Sequence, residues 1–197
     1  MQNVVLTSSF YAVADDLCET GLIPPSGANV AFIPTAADPY PERPWIDADR
    51  AALVRMGYSV VDVDLKDRTT DGLRDLLSTA DVLFVAGGNT TYLAEWSRRS
   101  GFGDIVCDLL RDGKLYVGSS AGSILAGPTV EPFAEEDAAE MPPGFVADHP
   151  VCLGLVDYVV LPHDATFAAT HDKMVAKDGD RWTFVRITDN EYRVETV

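Results

Sequence analysis

The sequence predicts a doubly wound α/β fold, a mostly parallel sheet with helices on both faces, and three observations carry that expectation. Short β-branched runs recur along the first two thirds of the chain, they are apolar throughout rather than alternating, and longer stretches with helical periodicity separate them. A strand that is apolar on both sides must be covered on both sides. Strand-helix repeats achieve this with right-handed crossovers. A length of 197 residues suits a single domain with one sizeable core, so residues 1–197 are taken as one α/β domain.

The expected strands are Val4 to Thr7, Val30 to Pro34, Val60 to Asp64, Val82 to Val85 and Leu115 to Gly118. Helices are expected at Trp45 to Met56, where Ala51, Leu53 and Val54 form the apolar side, at Thr70 to Ser78, and at Tyr92 to Leu110 with a break near Gly101 and Gly103. From Gly127 to Pro150 the chain is rich in Pro, Gly, Ala and acid and shows neither period, which reads as a long loop bordering the active site. A strand returns at Leu155 to Leu161. The runs Trp182 to Ile187 and Tyr192 to Val197, joined by Thr188-Asp189-Asn190, read as a C-terminal β-hairpin. There is no internal repeat and no low-complexity tract.

Composition narrows the function. Hydrophobic residues make up 47% of the chain and charged residues 23%, ordinary globular usage. The formal charge of -16 repels phosphate backbones and anionic lipid surfaces, so neither nucleic acid nor membrane is expected as a partner. The first residues carry no basic region before their short apolar run, and a cytoplasmic protein, monomer or homodimer, is expected. Cys18, Cys107 and Cys152 are far apart and show no ligand spacing, so no cofactor and no metal is expected.

Gly118-Ser119-Ser120-Ala121-Gly122 fits the nucleophile-elbow pattern G-x-S-x-G, with a buried strand before it and a small-residue helix start after it. Small neighbours let the chain turn sharply and leave the Ser120 hydroxyl exposed at the carboxyl edge of the sheet. Gly87-Gly88-Asn89-Thr90 follows another strand and reaches the same edge, where open α/β sheets bind ligands. The backbone N–H groups of Gly88 and Ala121 are therefore candidate oxyanion donors. Of His149, His163 and His171, His163 is the best-placed base because it follows a strand end in Leu161-Pro162-His163. His149 reads as a solvated turn residue and His171 as a surface residue. Elbow hydrolases commonly order their triads Ser, acid, His, which directs the search for the acid to Glu131, Glu135, Glu136, Asp137, Glu140 and Asp148.

These pieces, together with Gly127-Pro128-Thr129-Val130-Glu131 and Leu153-Gly154-Leu155-Val156, resemble the peptidase E family, also called the dipeptidase E or aspartyl dipeptidase family, whose relatives include cyanophycinase. The resemblance runs from about Asp81 to His163. It implies a flavodoxin-like sheet related to class I glutamine amidotransferases, Ser120 as nucleophile, His163 as general base, and Gly88 and Ala121 as the oxyanion hole. For the acid it implies Glu140, which precedes Met141-Pro142, or the earlier pair Glu136 and Asp137, of which Asp137 is taken. After His163 the chain departs from the family, because Asp164 to Asp180 holds only Lys173 and Lys177 as bases and lacks the Arg assigned to an acidic substrate side chain.

The leading expectation is thus a cofactor-independent serine peptidase that hydrolyses short peptides through an acyl-enzyme. An esterase or amidase acting on another substrate, or a silent binding or regulatory protein on the same scaffold, remains compatible with the residues.

Overall fold

A computed structural model describes residues 3–66 and 68–197. Five parallel strands form the centre of one sheet: β1 (Val4–Thr7), β2 (Asn29–Ile33), β3 (Ser59–Asp62), β4 (Val82–Val85) and β5 (Leu115–Ser119), in the order β3-β2-β4-β5-β1. The flavodoxin order 2-1-3-4-5 is reproduced by β2 to β5, with the N-terminal strand β1 standing in the fifth place. A final strand, β8 (Tyr192–Glu195), closes that edge antiparallel to β1.

Helices α1 (Phe10–Glu19) and α2 (Pro44–Arg55) cover one face. On the other lie α3 (Thr70–Ser78), α4 (Thr90–Ser100), α5 (Phe102–Arg111) and α6 (Ala121–Leu125). Each face has its own apolar layer. Phe10, Phe32 and Phe84 fill the first, with Phe32 and Phe84 stacked at 5.1 Å, and Leu73, Leu93, Phe102 and Ile105 contribute to the second. All of these side chains are buried, which is why β4 and β5 read as unbroken apolar runs. The expected break after Ser100 is present: Gly101 takes the left-handed conformation at φ 76° and separates α4 from α5.

Two expectations are corrected. The C-terminal hairpin does not form. The first of its runs is β7 (Phe184–Arg186), which pairs in parallel with β6 (Val159–Leu161) in a separate two-stranded sheet, while β8 joins β1. Neighbouring strands in sequence need not pair when each finds an unfilled edge elsewhere. The long loop contains a short helix, α7 (Ala134–Ala138), and the segment after His163 is α8 (Asp164–Asp178), kinked at Phe167. Neither the acid-rich α7 nor the alanine-rich α8 carries much apolar periodicity, so neither announces itself. Helix α1 is a further element beyond those expected, with Phe10, Val13, Ala14 and Leu17 on its buried side. Among the described residues no helix is long and apolar enough to cross a membrane.

Candidate active site

Ser120 sits between β5 and α6 with φ 50° and ψ -109°, a backbone conformation that L-residues rarely adopt and that must be held from outside. The hold comes from β1. The Ser120 N–H donates to the Thr7 carbonyl at 3.0 Å, and the Thr7 hydroxyl donates to the Gly118 carbonyl at 2.8 Å. Ser123, one turn on, accepts the Thr7 N–H at 2.9 Å. Glycine is required at position 122 because a Cβ there would stand 2.0 Å from the Val85 carbonyl oxygen, so its absence lets α6 start directly against β4.

The Ser120 hydroxyl lies 3.0 Å from Nε2 of His163. His163 follows β6 and caps α8 in the left-handed conformation, φ 58°. Its other ring nitrogen, Nδ1, lies 2.5 Å from a carboxylate oxygen of Asp189. That carboxylate also accepts the Ser8 hydroxyl at 2.7 Å, and Ser8 in turn accepts the His163 backbone N–H at 2.7 Å.

Asp137 is elsewhere. Its carboxylate accepts the N–H and the hydroxyl of Thr91, each at 2.7 Å, so it serves the buried donors at the start of α4 that have no partner within the helix. Burial pushes its carboxyl above the ordinary range, and the hydrogen bonds from Thr91 and Thr90 offset part of that rise. Glu136 and Glu140 border the same side of the site without a hydrogen bond to His163 among the described residues. The carboxylate on His163 is therefore Asp189 and not Asp137, and the chain order is Ser120, His163, Asp189 rather than serine, acid, histidine.

Asp189 is a turn residue, as the sequence predicts, but its turn links β7 to β8 in two different sheets rather than closing a hairpin. The signal that finds it is the parallel pairing of β6 and β7: Leu161 faces Arg186, so the residues just after both strands emerge side by side. His171, expected on the surface, is buried and paired with Asp164 at 2.8 Å. His149 is exposed, as a turn residue would be.

The oxyanion candidates also meet at this edge. A Cβ on Gly87 would lie 3.1 Å from the Ser120 Cβ, which brings the Gly87-Gly88 turn against the serine. Gly88 has φ 146°, and a Cβ there would stand 2.1 Å from the Ala36 carbonyl oxygen, so only glycine fits. Ala121 opens α6, where a backbone N–H has no partner within the helix.

Ser120 and His163 stand between two cavities of about 410 and about 290 Å³, which share Gly88, Tyr40 and Phe167. The larger contains Trp45, Asp49 and Asp189; the smaller contains Glu136, Asp137 and Glu140. Lys and Arg are absent from the described lining of both. Burial, with the charges of Glu140 and Asp137 adding to it, pushes the Tyr40 phenol up to about 12, so it remains a hydrogen-bond donor facing both cavities.

Asp49 is almost wholly buried beside Ser119 and accepts the Tyr11 N–H at 3.0 Å. Burial raises its pKa to about 7, against a partial offset from the Tyr11 and Ser119 hydrogen bonds. The folded state thus holds this proton more tightly than the unfolded chain. Its contribution to stability is complete below pH ~3.8 and is lost as pH rises toward about 7. Asp49→Asn keeps the acceptor for Tyr11 and removes the titration. Its stability relative to the parent is expected to rise between pH 5 and pH 8 by on the order of 2–3 kcal/mol. Urea unfolding of both proteins at the two pH values checks this, and a constant difference would refute it.

A sequence model of peptidase family S51 matches residues 11–192 of the chain. An uncharacterized peptidase of Listeria innocua is 32% identical, with 89% of this chain and 84% of that protein aligned. Peptidase E of Streptomyces coelicolor is 34% identical over 77% of this chain and 58% of its own length. A crystal structure of a Listeria monocytogenes protein provisionally assigned to peptidase E superposes with a TM-score of 0.84 at 26% identity, covering 100% of this chain and 99% of that one.

Proposed function

Because the chain belongs to peptidase family S51 and is a serine-type peptidase, we propose that Ser120, His163 and Asp189 form its catalytic triad and that its substrates are short peptides. The observation that carries this reading is the continuous path from the Asp189 carboxylate to His163 Nδ1 at 2.5 Å and from Nε2 to the Ser120 hydroxyl at 3.0 Å. An ionised Asp189 accepts from Nδ1–H and so leaves Nε2 without a proton. Nε2 takes the Ser120 proton as Oγ bonds to the scissile carbonyl carbon. The oxyanion is received by the N–H groups of Gly88 and Ala121. The C–N bond then breaks, with His163 returning its proton to the leaving amine. Water, activated by the same imidazole, hydrolyses the acyl-enzyme and restores Ser120.

The two cavities that flank Ser120 lie near or below the low end of the roughly 300–1,000 Å³ typical of small-ligand pockets, which favours a short peptide with one portion on each side. Fluorophosphonate labelling located by mass spectrometry, together with hydrolysis of a dipeptide library, tests the reading. Ser120 is expected to carry the label, and free amino acids are expected as products. Labelling elsewhere, or no turnover of any peptide, would overturn it.

Substrate charge follows from the lining. An acidic side chain placed beside Asp49 and Asp189, or beside Glu136 and Glu140, loses water without gaining a cation. Neutral dipeptides are expected to exceed Asp-Xaa and Glu-Xaa by about tenfold or more in kcat/KM, a difference of ~1.4 kcal/mol. A profile dominated by Asp-Xaa dipeptides would contradict this.

A further inference from the structure

Ser8 stands one residue beyond β1 and is fully buried, yet the chemistry just described gives it no part. Its hydroxyl oxygen accepts the His163 N–H at 2.7 Å, lies 3.1 Å from His163 Nδ1, and donates its only proton to Asp189 at 2.7 Å. The neighbouring Thr7 carbonyl holds the Ser120 N–H. The dipeptide Thr7-Ser8 therefore touches the backbone of both the serine and the histidine, and the separation between them is set by two adjacent residues at the carboxyl end of β1.

The other two anchoring sites need that hold. His163 is one of only two non-glycine residues with positive φ among the described residues, so its ring direction depends on what fixes its backbone. Asp189 lies in the turn between β7 and β8 with its side chain about half exposed, and among the described residues its carboxylate meets only His163 and Ser8. The direction of the Ser8 proton also matters. Given to Asp189, it leaves Nδ1–H as the second donor to the same oxygen and Nε2 free to accept. Given to Nδ1, it would force the proton onto Nε2, which could then take nothing from Ser120.

We infer that Ser8 is a positioning residue of the peptidase reaction, fixing the Asp189 oxygen and the His163 backbone so that Nε2 stays on the Ser120 hydroxyl. The inference rests on the triad reading. It differs from a packing role in what it affects: alignment of the base, and not peptide binding.

Ser8→Ala is expected to lower kcat about 10- to 100-fold while KM stays within about twofold, as for a small misplacement of a catalytic group. The rate of fluorophosphonate labelling of Ser120 falls in parallel. Added to Asp189→Ala, the same substitution is expected to cost less than it does in the parent, because the Asp189 part of the alignment is already lost and only the hold on the His163 N–H remains. Circular dichroism at the assay temperature establishes that each variant is folded. Should Ser8→Ala not fold, Ser8→Cys, of similar shape but a weak donor, is expected to give the same loss. A kcat within twofold of the parent, or an undiminished loss in the Asp189→Ala background, would overturn the inference while leaving the triad standing. Activity retained by Ser120→Ala would instead remove the triad itself.

Discussion

Replacing Ser120 or His163 with alanine is expected to lower kcat by on the order of 10⁴- to 10⁶-fold, and replacing both is expected to be scarcely worse than replacing either. The non-additivity is the informative part. Oγ is a poor nucleophile until Nε2, 3.0 Å away, removes its proton, so the two groups make one contribution between them. The fold should survive in all three proteins. The main-chain bond from Ser120 to Thr7 does not involve the side chain, and the His163 N–H keeps its Ser8 acceptor when the imidazole is cut back. Turnover of the best library dipeptide by the singles and the double, with circular dichroism as the control, decides the matter. Retention of more than about a tenth of the parent rate by Ser120→Ala, a deficit under ~1.4 kcal/mol, would exclude Ser120 as the nucleophile.

What could be read from the sequence was local. The unbroken apolar runs at β2, β4 and β5 announce a sheet buried on both faces, and the glycines around Ser120 announce an elbow, because tight turns and close helix packing are demands on single positions. The acid was not local. Asp189 becomes adjacent to His163 only because β7 pairs with β6 in parallel, and a short run such as Phe184–Arg186 carries no mark of which edge it will join. Paired in a hairpin with Tyr192 to Val197, that run gives Asp189 no reason to meet His163, and the common order serine, acid, histidine points to the acid-rich loop instead. Ser8 was hidden for the same reason. A serine after the first strand is unremarkable until a residue 155 positions later arrives to donate to it.

Asp189 and Asp137 offer the sharpest contrast between geometry and chain order, and their alanine variants are expected to differ by about 10²-fold or more in kcat. For Asp189→Ala the expected loss is on the order of 10³- to 10⁴-fold. Without the carboxylate, Nδ1 has no anionic acceptor, the imidazole populates the tautomer that cannot accept from Ser120, and the imidazolium formed during attack loses its counter-charge. The Asp189 side chain is 47% exposed, so solvent screens its charge and no large ion-pair energy is drawn from the contact. The tautomer argument needs only the directed 2.5 Å hydrogen bond, which exposure does not remove. For Asp137→Ala the losses fall on stability instead. The N–H groups at the start of α4 lose their acceptor, at a cost of roughly 0.5–2 kcal/mol, and kcat is expected to change by less than about tenfold. Kinetics on both variants, with thermal melts alongside, separates the two roles. A collapse of kcat in Asp137→Ala beside a near-normal Asp189→Ala would return the acid to the loop between serine and histidine.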